Sequence, residues 1–176
     1  MNPILDHINS RRDDYVEQLK HFLAIPSISA LPEHAPDVRR CAEWCADEMR
    51  RVGLGNVQLF ETPGHPIVYG EWLGAPGAPT LLFYGHYDVQ PVDPLALWTT
   101  PPFEPSLVPQ PDGETFITGR GASDDKGQLL TFIEACRAWK AVTGRLPIRI
   151  SMLFEGEEEA GSPSLGPFLE ANADDL

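Results

Sequence analysis

The chain has 176 residues, which is about the length of one domain. Its 13 Lys and Arg against 26 Asp and Glu give a formal net charge of −13, which argues against a nucleic-acid-binding protein and against a protein held to anionic lipid, since both need basic surfaces. Hydrophobic residues make up 42% and charged residues 22%, which is typical of a globular protein, and no apolar run approaches the ~20 residues of a membrane span.

The first part of the chain predicts two helices separated by a loop. Apolar residues recur at helical spacing within residues 6–24, and Pro26 ends this helix because the residue before a proline is pushed out of the α region. Residues 25–36 are rich in Ser and Pro and predict a loop. Residues 37–52 carry one apolar stripe and predict a second helix, for which Gly53 is a suitable stop.

The cysteines indicate a reducing environment. Cys41, Cys45 and Cys136 are an odd number and include no Cys-x-x-Cys pair. Cys41 and Cys45 lie within the second predicted helix, so we expect them to be small core residues. This usage favours a cytoplasmic location, and the first 12 residues have neither the basic start nor the apolar segment of a secretory signal.

The middle of the chain predicts β-structure. Short runs rich in β-branched and aromatic residues predict strands at residues 57–60, 66–73 and 80–84. Residues 74–79, with the sequence Gly-Ala-Pro-Gly-Ala-Pro, have a length that fits a hairpin turn. Residues 81–84 are continuously apolar and therefore predict a strand that is buried on both faces of a sheet.

The last part of the chain predicts a helix between two strands. Residues 116–118 follow an Asp-Gly pair and indicate a short hairpin arm. Residues 126–142 predict a helix, and residues 146–154 predict a buried strand after it. A strand, a helix and a strand in succession predict a βαβ unit with a parallel sheet. A final helix is predicted at residues 162–173, with its first residue as the N-cap.

Three polar clusters lie at the ends of these predicted elements. Residues 85–88, Gly-His-Tyr-Asp, directly follow one strand, and Asp124 and Asp125 precede the helix. Residues 155–159, which contain four glutamates, follow the next strand. Because ligands of an open parallel sheet bind beyond the carboxyl ends of its strands, we expect the three clusters to meet in one crevice.

The clusters supply the donors of a metal site. His86 offers an imidazole nitrogen, and Asp88, two residues on and on the same side of an extended backbone, can hold the other ring N–H. Asp124 has two oxygens, enough to bridge two cations. The acids at 157–159 repel one another, so a cation would stabilise them and leave one carboxylate free to act as a base. Singly, a His-x-Asp pair or an acidic run more often indicates ordinary structure or solvated surface, but their succession at element ends favours a metal site.

The same segments carry a family resemblance. Residues 85–91, 119–127 and 155–162 resemble the motifs of the dinuclear zinc peptidases, a family that includes carnosinase and cytosolic non-specific dipeptidase, carboxypeptidase G, the aminoacylases, acetylornithine deacetylase and succinyl-diaminopimelate desuccinylase. Residues 25–29, 91–94 and 98–105 are most similar to the dipeptidase branch. The resemblance covers nearly the whole chain.

The resemblance implies an α/β fold. The expected architecture is a three-layer catalytic domain with a largely parallel central sheet and flanking helices. Residues 1–176 would form the N-terminal portion of that domain, without its later strands and without the smaller lid and dimerisation domain through which full-length relatives form homodimers. We therefore expect an unpaired edge on the sheet.

The resemblance also implies a role for each candidate site residue. His86 matches a ligand of one metal, and Asp88 matches the residue that clamps and polarises that histidine. Asp124 matches the carboxylate that bridges both metals, with a cis peptide bond after it. Glu158 matches the general base, and Glu159 matches a ligand of the second metal. The remaining acid at position 157 is not expected to touch a metal.

The implied reaction is hydrolysis of an amide bond in a dipeptide or small peptide by a metal-bridged water, with a glutamate as general base. The implied cofactors are two divalent ions, with zinc favoured and cobalt or manganese also suitable. Relatives supply a further Asp and a further His beyond this stretch of sequence, so this chain alone is expected to bind metal weakly and turn over little. Two alternatives stay open: an N-acyl-amino-acid deacylase of the same family, and a non-catalytic fragment that acts by association.

Overall fold

The fold is described from a computed structural model of residues 2–173; Met1 and residues 174–176, which the predicted domain includes, lie outside this range. The helices are α1 (Pro3–Ser10), α2 (Arg12–Leu23), α3 (Ala35–Val52), α4 (Lys126–Thr143) and α5 (Leu165–Asn172). The strands are β1 (Gly55–Phe60), β2 (Ile67–Trp72), β3 (Thr80–His86), β4 (Ser106–Pro109), β5 (Thr115–Thr118) and β6 (Arg149–Glu155). Among these elements, no helix has the length and apolarity needed to cross a membrane.

The central sheet has the strand order β1-β2-β6-β3. Strands β3 and β6 pair in parallel and are joined through α4, so the predicted βαβ unit is confirmed. The β1–β2 and β2–β6 pairs are antiparallel, so the parallel character of this part of the sheet is confined to β3 and β6. The hairpin predicted across residues 74–79 is wrong, because β6 comes from much later in the chain and lies between β2 and β3.

Strand β3 forms one edge of the sheet, and β1 forms the other. Leu81, Leu82 and Tyr84 are 43%, 51% and 45% exposed, so the prediction of a strand buried on both faces is wrong here. The physical reason is that β3 has β6 as its one strand partner within residues 2–173. The strand that is buried almost throughout is β6, its inner neighbour. The unpaired edge expected of this sheet therefore lies at β3.

Helices cover both faces of the sheet, which confirms the mixed α/β fold class. The larger core joins one face of the sheet to α3 and α4, and includes Val68, Met152 and Phe154. On the opposite face, α5 contributes Phe168 to a smaller core, together with Ile67, Tyr69 and Leu153. Because successive strand residues point to opposite faces, β2 and β6 supply both cores. All three cysteines are buried and free, as expected of core residues.

The first predicted helix is divided in two. Arg11, with φ −115° and ψ 13°, separates α1 from α2, so the single helix predicted over residues 6–24 is wrong in its continuity. The Ser10 hydroxyl donates a hydrogen bond back to the His7 carbonyl oxygen (2.8 Å), an interaction that competes with helix continuation. The second predicted helix, α3, does end at Gly53, which has a φ of +84°.

The last helix starts later than predicted. Ser162 has a φ of +51° and is not the N-cap; its hydroxyl donates a hydrogen bond to Glu155 Oε1 (2.8 Å) instead. Helix α5 begins at Leu165, with Ser164 at the N-cap position. The Ser162 side chain thus fastens the turn after β6 to the end of that strand. The hairpin arm predicted near residues 116–118 is confirmed as the β4–β5 pair.

Candidate metal centre

Three elements bring His86, Asp124 and Glu158 together at one edge of the sheet. His86 is the last residue of β3, and it lies opposite Glu155, the last residue of the parallel strand β6. The His86 Nε2 atom lies 3.1 Å from Asp124 Oδ1 and 3.8 Å from Glu158 Oε2. The three polar clusters of the sequence therefore meet at the carboxyl ends of β3 and β6.

Asp88 faces the other nitrogen of the His86 ring. His86 Nδ1 lies 3.2 Å from the Asp88 carbonyl oxygen and 3.3 Å from Asp88 Oδ1. Asp88 is fully buried, and its Oδ2 accepts a hydrogen bond from the Glu159 backbone N–H (3.1 Å). A proton on Nδ1 would be donated to the Asp88 carbonyl oxygen, and Nε2 is then the nitrogen that faces Asp124 and Glu158.

The acidic surroundings set the protonation of His86 in this metal-free arrangement. Burial lowers the pKa of its imidazole, but Asp88, Asp125 and Asp124 raise it more, and the resulting pKa is about 9. The ring is thus a cation at neutral pH, which partly balances the carboxylates around it. A bound divalent ion would supply positive charge to balance the carboxylates. The ring would then have to be neutral to act as a ligand of that ion.

Asp125 is a site residue to which the sequence interpretation gave no role. Its Oδ2 accepts a hydrogen bond from the His86 backbone N–H (3.2 Å), and the Asp124–Asp125 peptide bond is cis, as the family resemblance implies. Burial raises the pKa of the Asp125 carboxyl. A Cβ atom on Gly85 would lie 2.7 Å from this oxygen, so a glycine before His86 permits the close approach. The position of Asp125 next to Asp124 in the motif could have indicated its role from the sequence.

The three consecutive glutamates have separate environments. Glu158 has a half-exposed side chain, and Glu159 Oε2 accepts a hydrogen bond from Gln90 Nε2 (2.6 Å). Glu157 is buried, and it accepts hydrogen bonds from the backbone N–H groups of His65 (3.0 Å) and Ser164 (3.1 Å). Glu157 therefore fastens two loops, whereas the Glu158 carboxylate faces His86 and the Glu159 carboxylate is paired with Gln90. The sequence interpretation also gave no role to Gln90, although it lies in the first motif.

Glu155 is buried at the end of β6. Its Oε1 accepts hydrogen bonds from the Tyr84 hydroxyl (2.5 Å) and the Ser162 hydroxyl (2.8 Å). Its Oε2 is buried and has no hydrogen-bond partner among the described residues, and burial raises the pKa of this carboxyl. Glu155 thus connects the edge strand β3 to the turn that carries Glu158 and Glu159.

We expect Gly64→Ala to destabilise the loop beside the site. The added Cβ would lie 1.4 Å from Glu157 Oε1 and would displace this carboxylate from the His65 N–H. Leaving buried hydrogen-bonding groups unpaired costs about 1–3 kcal/mol, so urea unfolding should show a loss of that order. Gly166→Ala is the matched control, because nothing lies within 4 Å of its Cβ position. Equal stability of the two variants would contradict this assignment of Glu157.

The side chains of the site are of the types that bind a divalent cation, but few of them are close together. One imidazole and several carboxylates are ligand types that zinc uses. Within residues 2–173, however, no group of three or more His, Cys, Asp or Glu side chains is arranged to hold a metal ion. Asp88 Oδ1 is buried and has no hydrogen-bond partner in the same range, although it lies 3.3 Å from His86 Nδ1.

Comparison with known proteins defines the class to which this fold and site belong. Residues 82–175 match the model of peptidase family M20/M25/M40, and the chain belongs to that family. It is similar to the Cys-Gly metallodipeptidase dug1 of Schizosaccharomyces pombe, with 34% identity over 99% of this chain and 38% of that protein. It is also similar to the Beta-Ala-His dipeptidase of Homo sapiens, with 33% identity over 99% of this chain and 36% of that protein.

A solved structure also shows the similarity to dipeptidases. The crystal structure of human carnosine dipeptidase 1 superposes with a TM-score of 0.87 and 33% identity, over 98% of this chain and 38% of that one. The chain thus spans well under half the length of the relatives it matches. The family is established as one of metallopeptidases, so divalent metal use follows for the class.

Proposed function

We propose that residues 1–176 form the N-terminal portion of the catalytic domain of a metal-dependent dipeptidase. The observation that carries the proposal is the approach of Asp124 and Glu158, from two other elements, to within 3.1 and 3.8 Å of the His86 ring nitrogen. The dipeptidases that align along 99% of this chain support a dipeptide or small peptide as the substrate of the parent protein.

His86 and Asp124 are proposed to hold one divalent ion, and Glu159 and Asp124 a second. Asp88 is proposed to orient His86, in the way that carboxylates fix metal-bound histidines. Zinc suits these nitrogen and oxygen donors, as do cobalt and manganese. Such ions polarise a scissile carbonyl and lower the pKa of a bound water. Catalytic zinc ions keep about three protein ligands, so each ion needs at least one more donor than these residues provide.

Glu158 is proposed to be the general base. Its carboxylate lies near His86, but farther from the ring than Asp124 does. Its side chain is 45% exposed, which leaves it open to substrate and water. It would take a proton from the attacking water and give that proton to the leaving amine when the amide bond breaks. The acid at position 157 has no part in this proposal, because both of its oxygens accept backbone hydrogen bonds.

The alternatives from the sequence are not favoured. A deacylase would share the same metal donors, but the relatives that align along 99% of the chain are dipeptidases. Membership of a peptidase family likewise argues against a fragment that acts by association alone. We further propose that the parent protein is a homodimer, from the family resemblance, and that it is cytoplasmic, from the three free cysteines.

Substrate profiling of the zinc-loaded parent protein tests this proposal. Cys-Gly and Beta-Ala-His should be hydrolysed, with amine release measured by chromatography, while N-acetyl and N-succinyl amino acids should be poor substrates. A chelator should abolish hydrolysis, and added zinc should restore it. Preferential cleavage of the N-acyl substrates would identify a deacylase instead. Chelator-resistant hydrolysis would contradict the metal mechanism.

A further inference from the structure

Lys126 is a buried cation beside the candidate metal centre. It is the first residue of α4, it directly follows Asp124 and Asp125, and it is fully buried. Burying a lysine is costly unless its ammonium group is paired or hydrogen-bonded. The proposed chemistry does not use this residue, so its position needs a separate explanation.

The Lys126 ammonium group binds the end of another helix. Its Nζ donates hydrogen bonds to the carbonyl oxygens of Phe22 (3.1 Å) and Ile25 (2.7 Å), and it lies 5.1 Å from the centroid of the Phe22 ring. The last carbonyls of a helix have no partner within that helix and carry its negative dipole end. Lys126 therefore satisfies the C-terminal end of α2 and fastens the start of α4 to it.

The segment that receives these hydrogen bonds is itself bonded to the chain that carries His86. The Ser27 hydroxyl donates to the Tyr87 carbonyl oxygen (2.7 Å), and the Val89 N–H donates to the Ser27 carbonyl oxygen (2.9 Å). His86 in turn contacts both acids that precede Lys126. The contacts thus form a closed circuit, from Lys126 through residues 25–27 to residues 86–89 and back to Asp124 and Asp125.

We propose that Lys126 is a positioning residue that sets the location of Asp124 and Asp125 relative to His86. With the start of α4 fastened through residues 25–27 to the chain around His86, Asp124 is held on the Nε2 side of the ring and Asp125 against the His86 N–H. This inference rests on the proposed function, because it concerns the same metal centre. Lys126 would thus raise metal affinity by placing the ligands, without touching the metal or the substrate.

Lys140, which is less buried than Lys126, provides a control on the same helix. Its Nζ donates to the Gly53 carbonyl oxygen (2.7 Å) at the C-terminal end of α3, so its bond to a helix end is of the same type. It lies 5.9 Å from the centroid of the Trp72 ring, much as Lys126 lies near Phe22. Lys140 is near the opposite end of α4 from the metal centre. Its loss should therefore reduce stability without changing ligand placement.

The test is a Co²⁺ titration of the purified 176-residue chain, followed by visible absorption, for the wild type and for the Lys126→Met, Lys140→Met and His86→Ala variants. We expect about tenfold weaker Co²⁺ binding and an altered spectrum for Lys126→Met, in line with the 10–100-fold effects of residues that orient metal ligands. Lys140→Met should bind Co²⁺ as the wild type does, although urea unfolding should show that it is also destabilised.

Several outcomes would overturn the inference. Unchanged Co²⁺ affinity and spectrum in Lys126→Met would do so while leaving the proposed function intact. If Lys126→Met does not fold, Ser27→Ala is the substitute, because it interrupts the same circuit of contacts. Co²⁺ affinity equal to that of the wild type would then overturn the inference, and weaker Co²⁺ binding would support it. A wild-type chain whose Co²⁺ binding is insensitive to His86→Ala would overturn both the inference and the proposed function.

Discussion

Replacing Glu158 by alanine in the parent protein is expected to lower kcat by about 10²–10⁴-fold, the usual contribution of a general base, while the zinc content stays unchanged. The reason is that Glu158 lies within 3.8 Å of His86 Nε2, near enough to the reacting centre, but is not a proposed ligand. Initial rates with Cys-Gly, together with zinc content from mass spectrometry, measure both quantities on one preparation.

Glu159→Ala is the matched comparison, because it changes the neighbouring residue in the same way. Glu159 is a proposed metal ligand, so this variant should lose zinc as well as activity. The two substitutions are therefore expected to separate on metal content, even if their rates are equally low. Equal loss of zinc from both variants would mean that the roles of these two acids are misassigned.

Asp124→Ala is expected to have the second large effect, a loss of affinity for both zinc ions. Asp124 is the proposed bridge, so each ion would keep a single protein donor from this chain, His86 or Glu159. Residues that merely orient ligands change metal affinity by 10–100-fold, and we expect loss of a shared ligand to exceed about 100-fold. Zinc content after dialysis against a metal buffer measures this loss directly.

Asp125→Asn is the control for this prediction. Asp125 is adjacent and also acidic, but its Oδ2 accepts the His86 backbone N–H, and an amide oxygen can do the same. The variant should therefore retain both ions. If Asp125→Asn loses zinc and Asp124→Ala retains it, the bridging role belongs to the other aspartate.

The approach of His86, Asp124 and Glu158 could be predicted from the sequence because each follows or precedes a strongly patterned element. Parallel strands bring their carboxyl ends to the same edge of a sheet, so β3 and β6 placed two of the clusters together. The helix between them placed the third. This part of the prediction needed local patterns and one connection rule, and no knowledge of the remaining strands.

The supporting contacts could not be predicted, because they join residues far apart in sequence. Glu157 pairs with the N–H of His65 across 92 positions, and Lys126 reaches the carbonyl of Phe22 across 104. Nothing in the local sequence of a lysine or glutamate distinguishes a buried structural group from a solvated one. Strand order failed for the same reason, since β6 inserts between two strands that a short turn connects.

The most direct test of the account is zinc binding by the 176-residue chain itself, measured by equilibrium dialysis and paired with a dipeptide hydrolysis assay. The proposed ligands give each ion two donors, and no three-residue donor group occurs within residues 2–173. We therefore expect weak zinc binding that becomes weaker still in His86→Ala, with little or no turnover. Two tightly held zinc ions and rapid dipeptide hydrolysis would contradict it.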